Sequence, residues 1–187
     1  MNNCYLDAEA VITFFRMTGR KHIFITGSRG SGKSHLVNNM LKYMSDSFNL
    51  LQSHRTDTPQ VVIRSNLVAD NKEFVIGVPR TSGINPASKG NNMTIIEDGF
   101  INCAIPAIDT HLDTTPERLF VIDELGYLES SCIPFQKAVE KLLDNSHVLA
   151  VIRKQSTEFL NRICNRKDVL VIDIDSTFET LSCIIMA

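Results

Sequence analysis

The stretch best equipped for chemistry is GSRGSGKS, residues 27–34, which fits G-x-x-x-x-G-K-[ST] at Gly27, Gly32, Lys33 and Ser34. Glycines let such a loop curl until successive N–H groups point at phosphate oxygens, and the helix that follows adds positive potential at its N-terminus. In this pattern Lys33 reaches the β- and γ-phosphates of a nucleotide and Ser34 ligates Mg²⁺. Gly27, Ser28, Arg29, Gly30, Ser31, Gly32, Lys33, Ser34 and the adjoining His35 form the predicted nucleotide-binding set. Arg29 either shields phosphate charge or points to water; His35 lies near the phosphates without a chemical role. A merely flexible turn would leave Lys33 and the glycine spacing unexplained.

A second constellation is LFVIDELGYLES, residues 119–130. An apolar strand ending in an acid puts Asp123 at the carboxyl edge of a sheet, where open α/β sheets bind ligands and where an aspartate can hold a Mg²⁺ ion. Glu124 is the candidate general base, able to take a proton from an attacking water. Lys33 and Glu124 are thus the expected catalytic pair, and Ser34 and Asp123 the expected metal ligands. Strand HVLAVI ends in Arg153 and Lys154, which face the same edge in a parallel sheet. They either sense the γ-phosphate or are solvated loop cations. Tyr127 is expected to pack on the sheet edge rather than stack on a base.

These residues need elements to hold them. Leu6, Val11, Ile12, Phe14, Phe15 and Met17 trace an amphipathic helix ended by Gly19. HIFIT is a buried strand, and SHLVNNMLKYM, residues 34–44, places apolar residues at helical spacing. Further on, VVIRS and EFVIGV read as strands, RTSGINPASKGNN as a loop, and GFINCAIPAIDTHL as a helix interrupted or kinked at Pro106. From Leu119 onward strands LFVID, HVLAVI and DVLVID alternate with helices PFQKAVEKLLDN, STEFLNRICN (capped by Ser156) and STFETLSCII. That alternation implies an α/β fold, a mostly parallel sheet with helices on both faces.

At 187 residues the chain suits one domain, 1–187, with an N-terminal helix over 1–20 and a less regular strand-and-loop region over 50–97. With 19 basic against 21 acidic residues, no global field favours nucleic acid or an anionic membrane. No segment has membrane length, and the N-terminus lacks the basic start of a secretory signal. Five widely spaced cysteines, Cys4, Cys103, Cys132, Cys164 and Cys183, read as reduced thiols of a cytoplasmic protein. The histidines, His22, His35, His54, His111 and His147, show no metal-ligand spacing.

On FITGSRGSGKS, VIDELGYLESSCIPFQKAVEKLL, VLAVI and NRKDVLVI, the chain resembles the thermophile-type nucleoside-triphosphatase family, which includes a human cancer-related member. The likeness covers about 22–50 and 98–174, and its most specific part is D-E-x-G-x-x-E. The resemblance implies a P-loop NTPase of RecA-like fold, with an extra strand between the strand leading into the loop and the strand carrying Asp123. It further implies Mg²⁺ as cofactor, ATP, GTP or another nucleoside triphosphate as substrate, Lys33 on phosphate, Ser34 and Asp123 on magnesium, and Glu124 as base. Gly126 and Glu129 match the family segment without an assigned step. Tyr127 stands where the family commonly has lysine, and LLQSHRTDTPQVVIR departs from the family's pattern. The resemblance also makes the N-terminal helix over 1–20 an addition and the strand-and-loop region over 50–97 a variable insertion.

Three activities use such a site. Hydrolysis of the γ-phosphate is favoured by the acidic pair. A small-molecule kinase would need an arginine-rich lid, and the loop from Arg80 to Asn92 supplies only Arg80 and Lys89 as cations. A nucleotide-timed switch would need a protein partner, for which the N-terminal helix is the candidate docking surface.

Overall fold

The computed structural model describes residues 7–44, 47–80 and 93–176. Cys4, Cys183, Leu6, the loop expected beyond Arg80 and all but the first residue of the last expected helix lie outside them.

The first helix, α1 (Ala8–Thr18), starts where the Asp7 side chain accepts a hydrogen bond from Glu9 N and stops at Gly19, whose φ of 64° suits a residue without Cβ. Strand β1 (His22–Gly27) then runs through the middle of the molecule. Its Ile23 and Ile25 face α1 and α2 (Lys33–Met44), while Phe24 faces the opposite side. Burial on both faces is why HIFIT reads as a continuous apolar run. Val11 and Ile12 of α1 share a core with Leu36, Val37, Met40 and Leu41 of α2.

Among the described residues, eight strands form one sheet in the order β5-β4-β3-β2-β6-β7-β1-β8. Strands β2 (Phe48–Arg55), β6 (Leu119–Leu125), β7 (His147–Arg153), β1 and β8 (Val169–Asp173) are parallel. Strands β3 (Val61–Ser65), β4 (Phe74–Pro79) and β5 (Met93–Ile95) extend it antiparallel from β2. The expected extra strand is β7, between β1 and β6. Helices α1 and α2 cover one face. The other carries α3 (Glu97–Gly99), α4 (Ile105–Thr114), α5 (Ile133–Asn145) and α6 (Glu158–Cys164), which bury Ile108, Phe135, Val139, Leu142, Phe159 and Ile163 against Phe24, Phe120 and Ile122. No helix of the described residues is long and apolar enough to cross a membrane.

Three local expectations change. Strand β2 was not legible, because its sequence FNLLQSHR breaks the apolar alternation. Its buried Asn49 is satisfied sideways, by His111 Nδ1 and Thr115 Oγ1 at 2.8 Å each, so a polar residue sits where the pattern calls for an apolar one. Pro106 does not break its helix. A π-helical turn, Phe100–Ala104, precedes it, with Ile105 N bonded to Phe100 O, and the wider turn gives the ring room. Finally, α6 is capped by Thr157, not Ser156. Thr157 is extended and its Oγ1 accepts from Leu160 N at 3.1 Å, whereas Ser156 Oγ accepts from the Asn161 side chain.

Candidate active site

The loop between β1 and α2 turns on glycines. Gly30 and Gly32 have φ of 76° and 92°, a region that residues with a Cβ rarely enter. Gly27 is also closely packed, because a Cβ there would stand 2.7 Å from Ile174 Cγ1 and 3.0 Å from Ser31 Oγ. Lys33, the first residue of α2, is buried, and its Nζ donates to Gly27 O at 2.9 Å and Ser28 O at 2.7 Å. An ammonium group is thereby held inside the curl of the loop. Ser28, Arg29, Ser34 and His35 are exposed, and Ser31 Oγ closes the turn on Ser28 O at 2.7 Å.

Across the sheet edge, Ser34 Oγ donates to Asp123 Oδ1 at 3.4 Å. Asp123 Oδ2 accepts from Gln52 Nε2, also at 3.4 Å, and Gln52 Oε1 in turn accepts from Arg64 Nη2 at 2.9 Å. Burial raises the Asp123 pKa, and the neighbouring charge of Glu124 adds to the rise, while the Gln52 and Ser34 hydrogen bonds and the charge of Lys33 oppose it. A half-buried carboxylate whose direct partners are neutral favours an added cation. A serine hydroxyl and a carboxylate are hard oxygen donors, too few to cage an ion alone and suited to Mg²⁺ that also holds phosphates and water.

Glu124 sits at an irregularity. In the β6–β7 register Asp123 pairs with Val151 and Leu125 with Ile152, so Glu124 is the extra residue of a bulge. Following Asp123 near the end of β6, Glu124 lies at the same edge of the sheet. There it accepts a hydrogen bond from Arg153 Nε.

The other residues of the acidic segment shape this corner. Glu129 is buried; its Oε2 accepts from Gly126 N at 2.9 Å and its Oε1 from Ser53 Oγ at 3.3 Å. Burial raises its pKa, against the pull of the Glu129 and Gly126 backbone N–H groups and of the Arg153 charge. Gly126 lies under the Arg153 stem, where a Cβ would stand 2.8 Å from Arg153 Cδ. Tyr127 packs against the core.

Lys154 diverges from Arg153. It pairs with Asp173 at 2.8 Å and Asp175 at 3.1 Å, and Asp175 Oδ2 also accepts from Ser28 N and Ser28 Oγ at 2.7 Å each. The Ser28 and Lys154 contacts lower the Asp175 pKa. Sequence reasoning missed Gln52, because β2 was unrecognised, and Asp175, although the acids after the buried strand DVLVID carried the same signal that singled out Asp123. Buried His111 is structural: its Nδ1 meets Asn49 and its Nε2 meets Ser146 Oγ at 2.7 Å. Cys103, Cys132 and Cys164 are free, and burial pushes the Cys103 and Cys164 thiols up to about 11.

A family model described as NTPase matches residues 22–179. The nucleoside-triphosphatase THEP1 of Thermotoga sp. (strain RQ2) is 24% identical over 154 residues, 82% of this chain and 86% of that protein. The Thermotoga maritima THEP1 is 23% identical over the same shares. Among solved structures, THEP1 from Aquifex aeolicus has a TM-score of 0.65 at 18% identity, covering 87% of this chain and 96% of its own. A human cancer-related nucleoside triphosphatase has a TM-score of 0.62 at 19% identity, covering 89% and 96%. At these identities the structural likeness speaks for the fold. Helix α1 precedes the residues that the family model matches.

Proposed function

The chain belongs to the NTPase family, and from that membership we propose that it is a Mg²⁺-dependent nucleoside-triphosphatase cleaving the γ-phosphate of ATP, GTP and other nucleoside triphosphates. The observation that carries the reading is the meeting of Ser34 from the loop with Asp123 from β6, with Glu124 beside them. The loop N–H groups and Lys33 receive the triphosphate, Lys33 Nζ exchanging the Gly27 and Ser28 carbonyls for phosphate oxygens. Ser34 and Asp123 would hold the metal. Mg²⁺ there supplies charge neutralisation on the phosphate oxygens. Glu124 accepts a proton from water as the water oxygen bonds to the γ-phosphorus and the bond to the β–γ bridging oxygen breaks. Nucleoside diphosphate leaves, and inorganic phosphate is the second product.

The switch reading gains no support from α1, whose Ala8, Val11 and Ile12 are buried. The kinase reading turns on a loop that lies almost wholly outside the described residues. The free thiols fit the cytoplasmic location included in this proposal.

The test is phosphate release from ATP, GTP, CTP and UTP with Mg²⁺, comparing the native chain with Lys33→Ala and Glu124→Gln. Hydrolysis by the native chain, lost in both variants while Glu124→Gln still binds nucleotide, supports the mechanism. Native protein that binds triphosphate and releases nothing overturns it.

A further inference from the structure

Arg153 ends β7 between the two halves of the site. On one side it is the register partner of Gly27, the first residue of the phosphate-binding loop. On the other, β7 pairs with β6, the strand of Asp123 and Glu124. Adjacent strands lie about 4.8 Å apart, so the Arg153 backbone stands one strand from each half. Its stem crosses Gly126 and its Nε donates to Glu124 Oε1. The two terminal nitrogens make no hydrogen bond among the described residues, and the side chain is 40% exposed. Lys154, the other cation of this strand end, is already committed to Asp173 and Asp175.

A guanidinium is planar and presents five donors in a fixed fork. One face of the fork is occupied by Glu124; the rest is open at the edge where the loop would deliver a phosphoryl group. We propose that Arg153 bridges Glu124 and the γ-phosphoryl group, Nε holding the base and the terminal nitrogens contacting a γ-phosphoryl oxygen. The base is thereby positioned relative to the phosphorus that its water attacks, and a diphosphate offers nothing to the terminal nitrogens. The inference rests on the nucleoside-triphosphatase reading of this edge, and it separates Arg153 from Lys154, which the sequence leaves equivalent.

The experiment compares the native chain with Arg153→Ala and Arg153→Lys. It reads binding of ADP and of a non-hydrolysable ATP analogue with Mg²⁺ by calorimetry, steady-state phosphate release, and thermal melting. Loss of the bridge in Arg153→Ala should weaken the triphosphate analogue about tenfold, leave ADP within about twofold, and lower kcat roughly a hundredfold. Arg153→Lys should regain analogue binding through its charge but not kcat, since one ammonium cannot hold both partners in the same fork. Equal losses for ADP and the analogue, an unchanged kcat, or full activity in Arg153→Lys would overturn the proposal. If Arg153→Ala proves unstable, Arg153→Lys, which keeps a long aliphatic stem over Gly126, decides by its kcat against its analogue affinity. A native chain that hydrolyses triphosphate, with Lys33→Ala inactive and Arg153→Ala fully active, sinks this inference alone. A native chain that hydrolyses nothing sinks the parent reading as well.

Discussion

The Ser34 hydroxyl and the Asp123 carboxylate meet at 3.4 Å although 89 positions separate them in the chain. The contact joins the first turn of α2 to the end of β6, two elements that share neither a turn nor a strand pairing. Burial raises the Asp123 pKa, so its charged form is disfavoured until a cation arrives.

Asp123→Asn is therefore expected to remove activity without removing the fold. The raised pKa means that ionised Asp123 weakens the native state as pH rises through its titration, and a neutral amide escapes that penalty. The melting temperature of the variant at pH 7 should equal or exceed that of the native chain. Its kcat should fall roughly a hundredfold, and the stabilisation that Mg²⁺ and nucleotide give the native chain should vanish. Differential scanning fluorimetry with and without Mg²⁺–ATP, beside phosphate release, reads all three. A large fall in melting temperature would mean that Asp123 is structural.

Gly126→Ala should reproduce part of the Arg153 phenotype from a residue with no functional group. The added methyl would meet Arg153 Cδ at 2.8 Å, and the flexible stem yields more readily than the strand, so Arg153 leaves Glu124 while the backbone stays. Stability should change by less than about 1 kcal/mol, while kcat drops and ADP affinity holds. Wild-type turnover in this variant would show that the stem can shift without disturbing Glu124.

His22 should make the fold acid-sensitive. It is fully buried, its Nδ1 accepts from Val148 N at 3.2 Å, and burial lowers its pKa to about 4, despite Asp168 and with help from Lys21, Arg166 and His147. An unfolded histidine titrates near 6.5, so between about 6.5 and 4 the unfolded state binds a proton that the native state refuses. Stability is thus lost as pH falls through that window, by about 3 kcal/mol in all. Asp168, held near 2 by Arg166, adds a further loss below its unfolded value of 3.8. Urea unfolding at pH 7, 6, 5 and 4.5 should show the slope, and His22→Gln should flatten it. An unchanged slope in His22→Gln would transfer the effect to other groups.

The α6 cap is checked by two alanine variants. Thr157→Ala should cost about 1 kcal/mol, since it strips the acceptor from Leu160 N, and Ser156→Ala should be near neutral. Chemical denaturation of both would reveal a reversed order if Ser156 were the cap.

The phosphate-binding loop and the acid at the end of β6 were legible because their chemistry is local. Gly27, Gly32, Lys33 and Ser34 occupy one turn, and the backbone of a curled loop demands glycine wherever it folds. The buried parallel strands were legible too, since burial on both faces leaves uninterrupted apolar runs such as HIFIT and LFVID. The family likeness followed from the same segments, and the match over residues 22–179 supports it.

What tertiary structure decided was which distant residues share the sheet edge. Gln52 reaches Asp123 only because β2 lies beside β6, and β2 escaped notice because its buried Asn49 finds its partners on α4 and Thr115. Glu124 and Arg153 pair because β7 lies beside β6 and Gly126 leaves room for the Arg153 stem. Arg153 and Lys154 are adjacent cations in the sequence, yet consecutive residues at a strand end diverge, one toward Glu124 and one toward Asp173 and Asp175. Local spacing sets what a short loop can bind, whereas strand order and register, which depend on contacts across the whole chain, set what stands beside it.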